Sequence, residues 1–374
     1  MKIGVVTTQY ASNYGALLQT YALQKHINSH MGIESEVINY FPKHYKEYWR
    51  LLPKIESFRS FVLLGVTLLQ PWNIFRTKKR YMKYKEFVRN FIPCSREYYS
   101  YDEMMKNKCD YDICLCGSDQ IWNVTRHKNI DKVWFLDFCG EWSNVKRISY
   151  APSIADVIPP EKNSILSRVL NEFDAISVRE SSDIEQLSRL TEKKVTHVCD
   201  PIFLLSKEEW RELEASPKIS QPYILCYFLS PDKHAVEVVR KIKQMTGLKV
   251  VHLNVNERDK FKSDYDLRTA CSREFLGYID NAEYVITNSF HCTAFSVLFE
   301  KKFVVVKKRT ANSRMESLLG KLGLNNCFVD ESKLEKITEN DLEIDYTSAN
   351  KIVQGFVNES KEYLCCNLKE KPND

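Results

Sequence analysis

Thr287-Asn288-Ser289-Phe290-His291 stands where an apolar run, Tyr284–Thr287, gives way to a segment with helical spacing. A strand that turns into a helix leaves backbone N–H groups aimed out of the helix start, and that end attracts anions. Ser289 is of a type that caps helices. His291 feels two opposed influences there: the helix field disfavours imidazolium, whereas a bound phosphate favours it. A histidine so balanced can donate a proton near neutral pH. The competing reading is a packed ring, with Asn288 and Ser289 as ordinary turn formers.

Ser177-Val178-Arg179-Glu180 follows another apolar run. Arg179 suits a carboxylate or phosphate, which a guanidinium grips through two parallel hydrogen bonds; alternatively it pairs with a carboxylate at a helix start. Gly117-Ser118-Asp119-Gln120-Ile121-Trp122-Asn123 sets a tryptophan beside polar side chains. A sugar site needs such a set, an aromatic plate for the ring face and polar groups for the hydroxyls; a structural loop with a buried Trp122 is the alternative. The turn Gln9–Gly15, with Asn13, Tyr14 and Gly15, allows close approach of a ligand to the backbone. Small residues at Ser149–Ser153 do the same. In Asn312-Ser313-Arg314, Ser313 is placed as an N-cap and Arg314 as a second anion contact.

These segments need a framework, and the periodicity supplies one. Strands are predicted at Lys2–Thr8, Glu36–Tyr40, Ile113–Gly117, Arg147–Ala151, Ala175–Val178 and Val195–Cys199, with helices at Ala16–Ile27, Ser164–Glu172 and Ser181–Leu190. After a linker at Leu205–Gln221, strands Tyr223–Leu229, Lys249–Asn254, Tyr284–Thr287 and Phe303–Val306 alternate with helices Lys233–Met245, Ser272–Asn281, Phe290–Phe299 and Arg314–Leu322. Such alternation predicts an α/β protein with two Rossmann-like domains built on parallel sheets. The expected division is 1–205, 206–345, and a C-terminal helix and tail over 346–374, the helix near Ala349–Leu364 packing on either half. In open parallel sheets ligands bind beyond the carboxyl ends of the strands, where each of these segments lies. Residues 42–108 are rich in aromatic and basic side chains and read as a helical insertion in the first domain. With the apolar run Phe61–Leu69 they form either a cover on the sheet or a peripheral membrane contact.

Composition narrows the function classes. The chain has 374 residues, 44% hydrophobic and 28% charged, and a net charge of only +5 spread along its length, which suits a folded two-domain protein and no nucleic-acid partner. The N-terminus lacks the features of a signal peptide, and no run nears the ~18 apolar residues of a membrane span. A cytoplasmic protein is expected, with at most peripheral contact at the inner membrane face. Cys114, Cys116, Cys199 and Cys226 lie in apolar runs and read as buried free thiols. Neither Gly-x4-Gly-Lys-Ser/Thr nor Gly-x-Gly-x-x-Gly follows the first strand, which disfavours a P-loop enzyme or a nicotinamide dehydrogenase. No metal site and no cofactor is expected.

In this order Asn13-Tyr14-Gly15-Ala16-Leu17-Leu18-Gln19, Gly117–Asn123, Ser149-Tyr150-Ala151, Ile176–Glu180, Asp200-Pro201 and Ser289-Phe290-His291 resemble the polysaccharide pyruvyl transferase family. The resemblance implies a GT-B-like fold, with the two domains facing a cleft, and transfer of pyruvate from phosphoenolpyruvate to a sugar of a bacterial surface polysaccharide or its lipid-linked precursor, often as a ketal. It makes the first domain the acceptor side and the second the donor side. His291, Arg179 and Asp119 become the catalytic set, with Ser289, Asn288, Phe290 and Arg314 on the donor. Asn13, Tyr14, Gly15, Ser118, Gln120, Trp122 and Asn123 fall to the acceptor. Better-known members resemble Arg-Leu-His where this chain has Ser289-Phe290-His291, so Arg314 or a lysine must supply the missing positive charge. Two other readings stay open: a GT-B glycosyltransferase using a nucleotide sugar, with Glu316 as a loose ribose contact, and a catalytically silent glycan-binding protein.

Overall fold

The structure, a computed structural model, describes residues 1–9, 13–42, 51–52, 54–55, 57, 61, 64–65, 67–108, 110–125, 129–142, 144–255, 261–308 and 312–369. Two all-parallel sheets organise them. The first has the order β3-β2-β1-β4-β5, from Lys2–Val6 (β1), Glu34–Tyr40 (β2), Cys94–Tyr98 (β3), Ile113–Cys116 (β4) and Lys146–Ser149 (β5). It is extended beyond β5 by the pair Ile176–Val178 (β6) and Val195–His197 (β7), through the bridge Ile148–Ala175. The second has the order β10-β9-β8-β11-β12-β13, from Tyr223–Tyr227 (β8), Lys249–Leu253 (β9), Tyr265–Leu267 (β10), Tyr284–Thr287 (β11), Lys302–Val306 (β12) and Phe328–Val329 (β13). Central strands such as Ile113-Cys114-Leu115-Cys116 are apolar throughout because helices cover both faces. Cys116, Cys199 and Cys226 are buried free thiols, and Cys114 is buried as well.

Both sheets reverse direction at their centres. The first runs outward from β1 to β2 on one side and to β4 on the other; the second does the same from β8, to β9 and to β11. Each reversal opens a crevice at the strands' carboxyl ends, where ligands of such sheets bind. The helices that matter most are α1 (Tyr14–Lys25), α2 (Pro71–Phe91), α3 (Ser181–Ser188), α4 (Lys207–Leu213), α5 (Ser272–Asp280), α6 (Phe290–Leu298), α7 (Ser313–Leu322) and α8 (Tyr346–Leu368).

Three segments differ from expectation. The stretch read as a linker contains α4, whose start is fixed by a capping box between Ser206 and Glu209. Its Trp210 is fully buried, donates its indole N–H to the Ile202 carbonyl and packs on Tyr21 and Phe295. The 42–108 insertion is not all helical, since β3 adds an edge strand to the first sheet. Part of that insertion, including much of Phe61–Leu69, lies outside the described residues. Finally, α8 packs on both halves. Its start contacts the second, with Tyr346 Oη donating to the Lys301 carbonyl at 2.6 Å and Asn350 Nδ2 to Glu300 at 2.8 Å. Its end reaches the first, where Tyr363 Oη donates to the Ser149 carbonyl at 3.0 Å and Ser360 Oγ accepts the Cys199 N–H at 2.8 Å.

Ser360 is fully buried. Ser360→Ala therefore strands the Cys199 N–H and should cost about 1–3 kcal/mol, seen as a lower denaturant midpoint at unchanged slope.

Candidate functional site

The carboxyl ends of both sheets converge on one buried carboxylate. Asp200, just beyond β7, receives the Ile202 N–H on Oδ1 at 3.1 Å. Its Oδ2 accepts from Arg179 Nη1 at 2.7 Å and from Ser118 Oγ at 3.2 Å, and lies 3.6 Å from His291 Nε2. The last distance is that of an ion pair and longer than a hydrogen bond. Burial alone would raise the Asp200 carboxyl, but His291 and Arg179 outweigh it and hold the group well below the usual range. The charged form is thus the one the site is built around.

Arg179, at the end of β6, is held on every side. Its Nε donates to Glu180 Oε1 at 2.8 Å, its carbonyl accepts His197 Nε2 at 3.0 Å, and its guanidinium lies 4.1 Å from the centre of the Phe290 ring. Phe290 therefore clamps a cation across the two halves. The remaining nitrogen, Nη2, is buried without a hydrogen-bond partner, and so is His291 Nε2. Two buried nitrogens beside one carboxylate oxygen thus have no hydrogen-bond partner in the structure.

His291 reaches this place because α1 admits it. A β-carbon on Gly15 would fall 2.1 Å from His291 Cγ and 2.3 Å from Nδ1, so only glycine lets the ring lie against the helix start. Asn13 caps α1 by accepting the Gly15 N–H at 2.9 Å. At α6, Ser289 occupies the N-cap position with extended backbone, yet its side chain makes no cap bond, so the hydroxyl does not close the helix start. Asn288 is engaged with its neighbours: its Oδ1 accepts from Leu229 N–H at 3.0 Å and its Nδ2 donates to the Ser230 carbonyl, which fixes the loop after β8.

Asp119 lies opposite. Its φ of 73° and ψ of −173° place it in a region other residues leave to glycine, at a cost of about 1–3 kcal/mol. Burial acts to raise its carboxyl, and the charges of His291, Arg179 and Arg314 together lower it. Thr8 Oγ1 donates to its Oδ2 at 3.3 Å. Arg314 stands in the first turn of α7, where Asn312 and not Ser313 is the N-cap residue. Lys308, just beyond β12, was not singled out from the sequence. Burial and the neighbouring Arg314 push its ammonium down to about 8. Position beyond a strand's carboxyl end was the signal that would have found it.

The sugar surface expected of Gly117–Asn123 is largely corrected. Trp122 is 1% exposed, donates its indole N–H to the Trp134 carbonyl, stacks on Phe135 and meets Phe173 edge-on. The short 3-10 turn over Gln120–Trp122 swings that side chain inward, where it buries far more apolar area than a surface plate could. Ser118 is fully buried on Asp200, and Asn123 Oδ1 accepts from the Thr125 N–H and hydroxyl within a local turn. Gln120 keeps a buried Oε1 without a partner beside Asp119. Tyr14 is buried between Tyr227 and Phe275.

Gly15→Ala should displace the His291 ring while the fold persists. The imidazole NMR signals should move, and any turnover dependent on that ring should fall by about 100-fold; unmoved signals would show that the close approach is not required.

Comparison with known proteins agrees with this architecture. A family model for polysaccharide pyruvyl transferase matches residues 13–307. No curated protein matches the sequence. Among solved structures, UDP-GlcNAc 2-epimerase from Neisseria meningitidis, bound to UDP-GlcNAc, is similar with a TM-score of 0.52 at 11% identity, over 99% of this chain and 100% of that one. A protein from Listeria monocytogenes assigned as a UDP-N-acetylglucosamine 2-epimerase is similar with a TM-score of 0.51 at 10% identity, over 100% of this chain and 98% of that one. Identities this low speak for the fold alone, the GT-B arrangement of two Rossmann-like units. The match over most of its length places the chain in the polysaccharide pyruvyl transferase family.

Proposed function

We propose that this protein transfers pyruvate from phosphoenolpyruvate to a sugar of a bacterial surface polysaccharide, or of its lipid-linked precursor, and closes a ketal on two hydroxyls. The observation that carries this reading is the pair of unpartnered donors, Arg179 Nη2 and His291 Nε2, gathered on Asp200. Phosphoenolpyruvate bears a carboxylate and a phosphate on one carbon and takes its proton on the adjacent methylene. A fixed guanidinium beside a histidine supplies both needs.

In this scheme Arg179 holds the donor, and His291 gives a proton to the methylene carbon. The neighbouring carbon becomes oxocarbenium-like, a sugar hydroxyl bonds to it, and its carbon–oxygen bond to phosphate breaks. A second hydroxyl then closes the ring. Of the two hydroxyl protons one restores His291; the other passes through Asp119 and leaves on phosphate. Asp200 stabilises the imidazolium form. Ser289 stands where other members of the family resemble arginine, and Lys308 with Arg314 supplies the missing positive charge from neighbouring strand ends. Phosphoenolpyruvate acts as a substrate, and no cofactor enters.

Phosphate release from phosphoenolpyruvate, measured with galactose-, glucose- and mannosamine-type acceptors, should fall by about 10²–10⁴-fold in His291→Ala. Lys308 carries its charge below about 8 and loses it above, so the donor KM should rise as pH passes that value. Lys308→Met should raise KM at neutral pH and abolish the inflection. A nucleotide-sugar transferase is the alternative on this fold. Thermal stabilisation by nucleotide sugars and none by phosphoenolpyruvate would decide for it, whereas ligand binding indifferent to His291→Ala and Arg179→Ala would mark a silent glycan-binding protein.

Peripheral membrane contact belongs to the same proposal. On α2, Trp72, Phe75 and Met82 are exposed, at 74%, 60% and 57%, and the preceding Leu68 and Leu69 are exposed as well. The helix carries seven basic residues against the single Glu86. Aromatic side chains among lysines suit anionic lipid headgroups. Among the described residues no helix is long and apolar enough to cross a membrane. Trp72→Glu with Phe75→Glu should abolish sedimentation with anionic vesicles; unchanged sedimentation would remove this part of the proposal.

A further inference from the structure

The inner face of α2 presents a cation that has no counter-ion among the described residues. Arg80 is nine-tenths buried, donates from Nη1 to the Val255 carbonyl at 3.0 Å, and keeps a buried Nε with no hydrogen-bond partner. Among the described residues no carboxylate pairs with it. Glu274, on the facing helix α5, is committed to Lys83 at 2.6 Å and to the Cys271 N–H at 2.8 Å. Two phenols share the place. Tyr14 and Tyr227 have buried hydroxyls with no partner, their ring centres are 5.6 Å apart, and each ring packs on Phe275, at 5.0 and 5.1 Å. The charge of Arg80 acts on both phenols, and burial keeps both protonated and able to donate.

Such a set has no structural return. Each buried polar group left unmade weakens the fold, and an uncompensated guanidinium does so most. Arg179, by contrast, is buried with two carboxylates, Asp200 and Glu180. The set also adjoins the site already described. Tyr14 precedes Gly15, on which the His291 ring lies. The Tyr227 carbonyl accepts from Thr287 Oγ1 at 2.6 Å, at the head of the turn that carries His291.

We infer that Arg80, Tyr14 and Tyr227 form a second anion subsite, which takes a phosphate of the sugar acceptor while Arg179 and His291 take the donor. The naming of the acceptor rests on the pyruvyl-transfer reading; the anion subsite does not. A guanidinium with two phenol donors in its neighbourhood suits a phosphate, and a neutral hydroxyl would leave the guanidinium uncompensated. A lipid diphosphate and a nucleoside diphosphate offer the same group.

The test is calorimetric titration of the full chain without phosphoenolpyruvate. The probes are N-acetylglucosamine, its 1-phosphate, UDP-N-acetylglucosamine and a short-chain prenyl-diphosphate-linked N-acetylglucosamine. The phosphorylated probes should bind at least about ten-fold more tightly than the free sugar. Arg80→Gln and Tyr227→Phe should each remove most of that preference, Arg80→Lys should restore part of it, and phosphoenolpyruvate should bind all variants alike. Tyr227→Phe removes one oxygen from a preserved ring and serves if Arg80→Gln does not fold. The tighter of the lipid and nucleotide arms identifies the source of the phosphate. Equal affinity of variants and parent for the phosphorylated probes overturns the proposal, as does a parent that prefers the free sugar. If no phosphate is released from phosphoenolpyruvate yet Arg80→Gln still loses the phosphorylated probes, the subsite stands and the pyruvyl-transfer reading falls.

Discussion

A carboxylate removed from water must be surrounded by cations and N–H groups, and the architecture follows from meeting that demand at Asp200. Its two oxygens draw in the loop after β4 through Ser118, the end of β6 through Arg179, its own turn through Ile202, and the start of α6 through His291. The first three belong to the first sheet and its extension, the fourth to the second sheet. The Phe290 ring under the Arg179 guanidinium closes the same junction from the other side. Across the junction the two halves meet through the His291–Asp200 ion pair and the Phe290 ring on Arg179, and separating them would expose a carboxylate that the fold has removed from water. The groups that hold the halves in register are the groups that face the cleft.

What the sequence disclosed followed from the position of residues along strands. His291, Arg179 and Asp119 come at the carboxyl ends of apolar runs; within each parallel sheet those ends share one edge, and the meeting of the two sheets brings His291 to the other two. Asp200 carries no role in the sequence reading beyond its place in the matched Asp200-Pro201, although it follows Val195–Cys199 and meets the same positional criterion. Direction of side chains was not legible. Trp122 and Asn123 have the types a sugar surface requires, but a one-turn 3-10 segment decides which way they point, and nothing in their spacing reveals it. That Asn288 braces the loop after β8 is equally illegible, because only the fold shows that Leu229 and Ser230 lie across from it.

The insertion was read for its outer face, since lysines and aromatics declare themselves in composition. Its inner face depends on contacts with residues distant in the chain on both sides of the insertion. Lys83 meets Glu274, Arg80 meets Val255, and Phe87 and Phe91 pack on Tyr21 of α1. Helix α2 is thus a brace between halves as much as a surface. Likewise β10 and β13, of three and two residues, are too short to carry a periodic signal and exist by pairing with β9 and β12.

The terminal helix bears on how such a chain is made. The Ser149 carbonyl and the Cys199 N–H belong to the first sheet and its extension, yet their partners are Tyr363 and Ser360. During synthesis the first half emerges with those groups unanswered and with an apolar seat for Phe356 and Leu364 uncovered. It stays incomplete through translation of the entire second sheet, until α8 has left the ribosome. A chain with this topology carries an obligatory waiting interval, in which the early half is exposed to aggregation and to chaperones, and its two halves mature as one event.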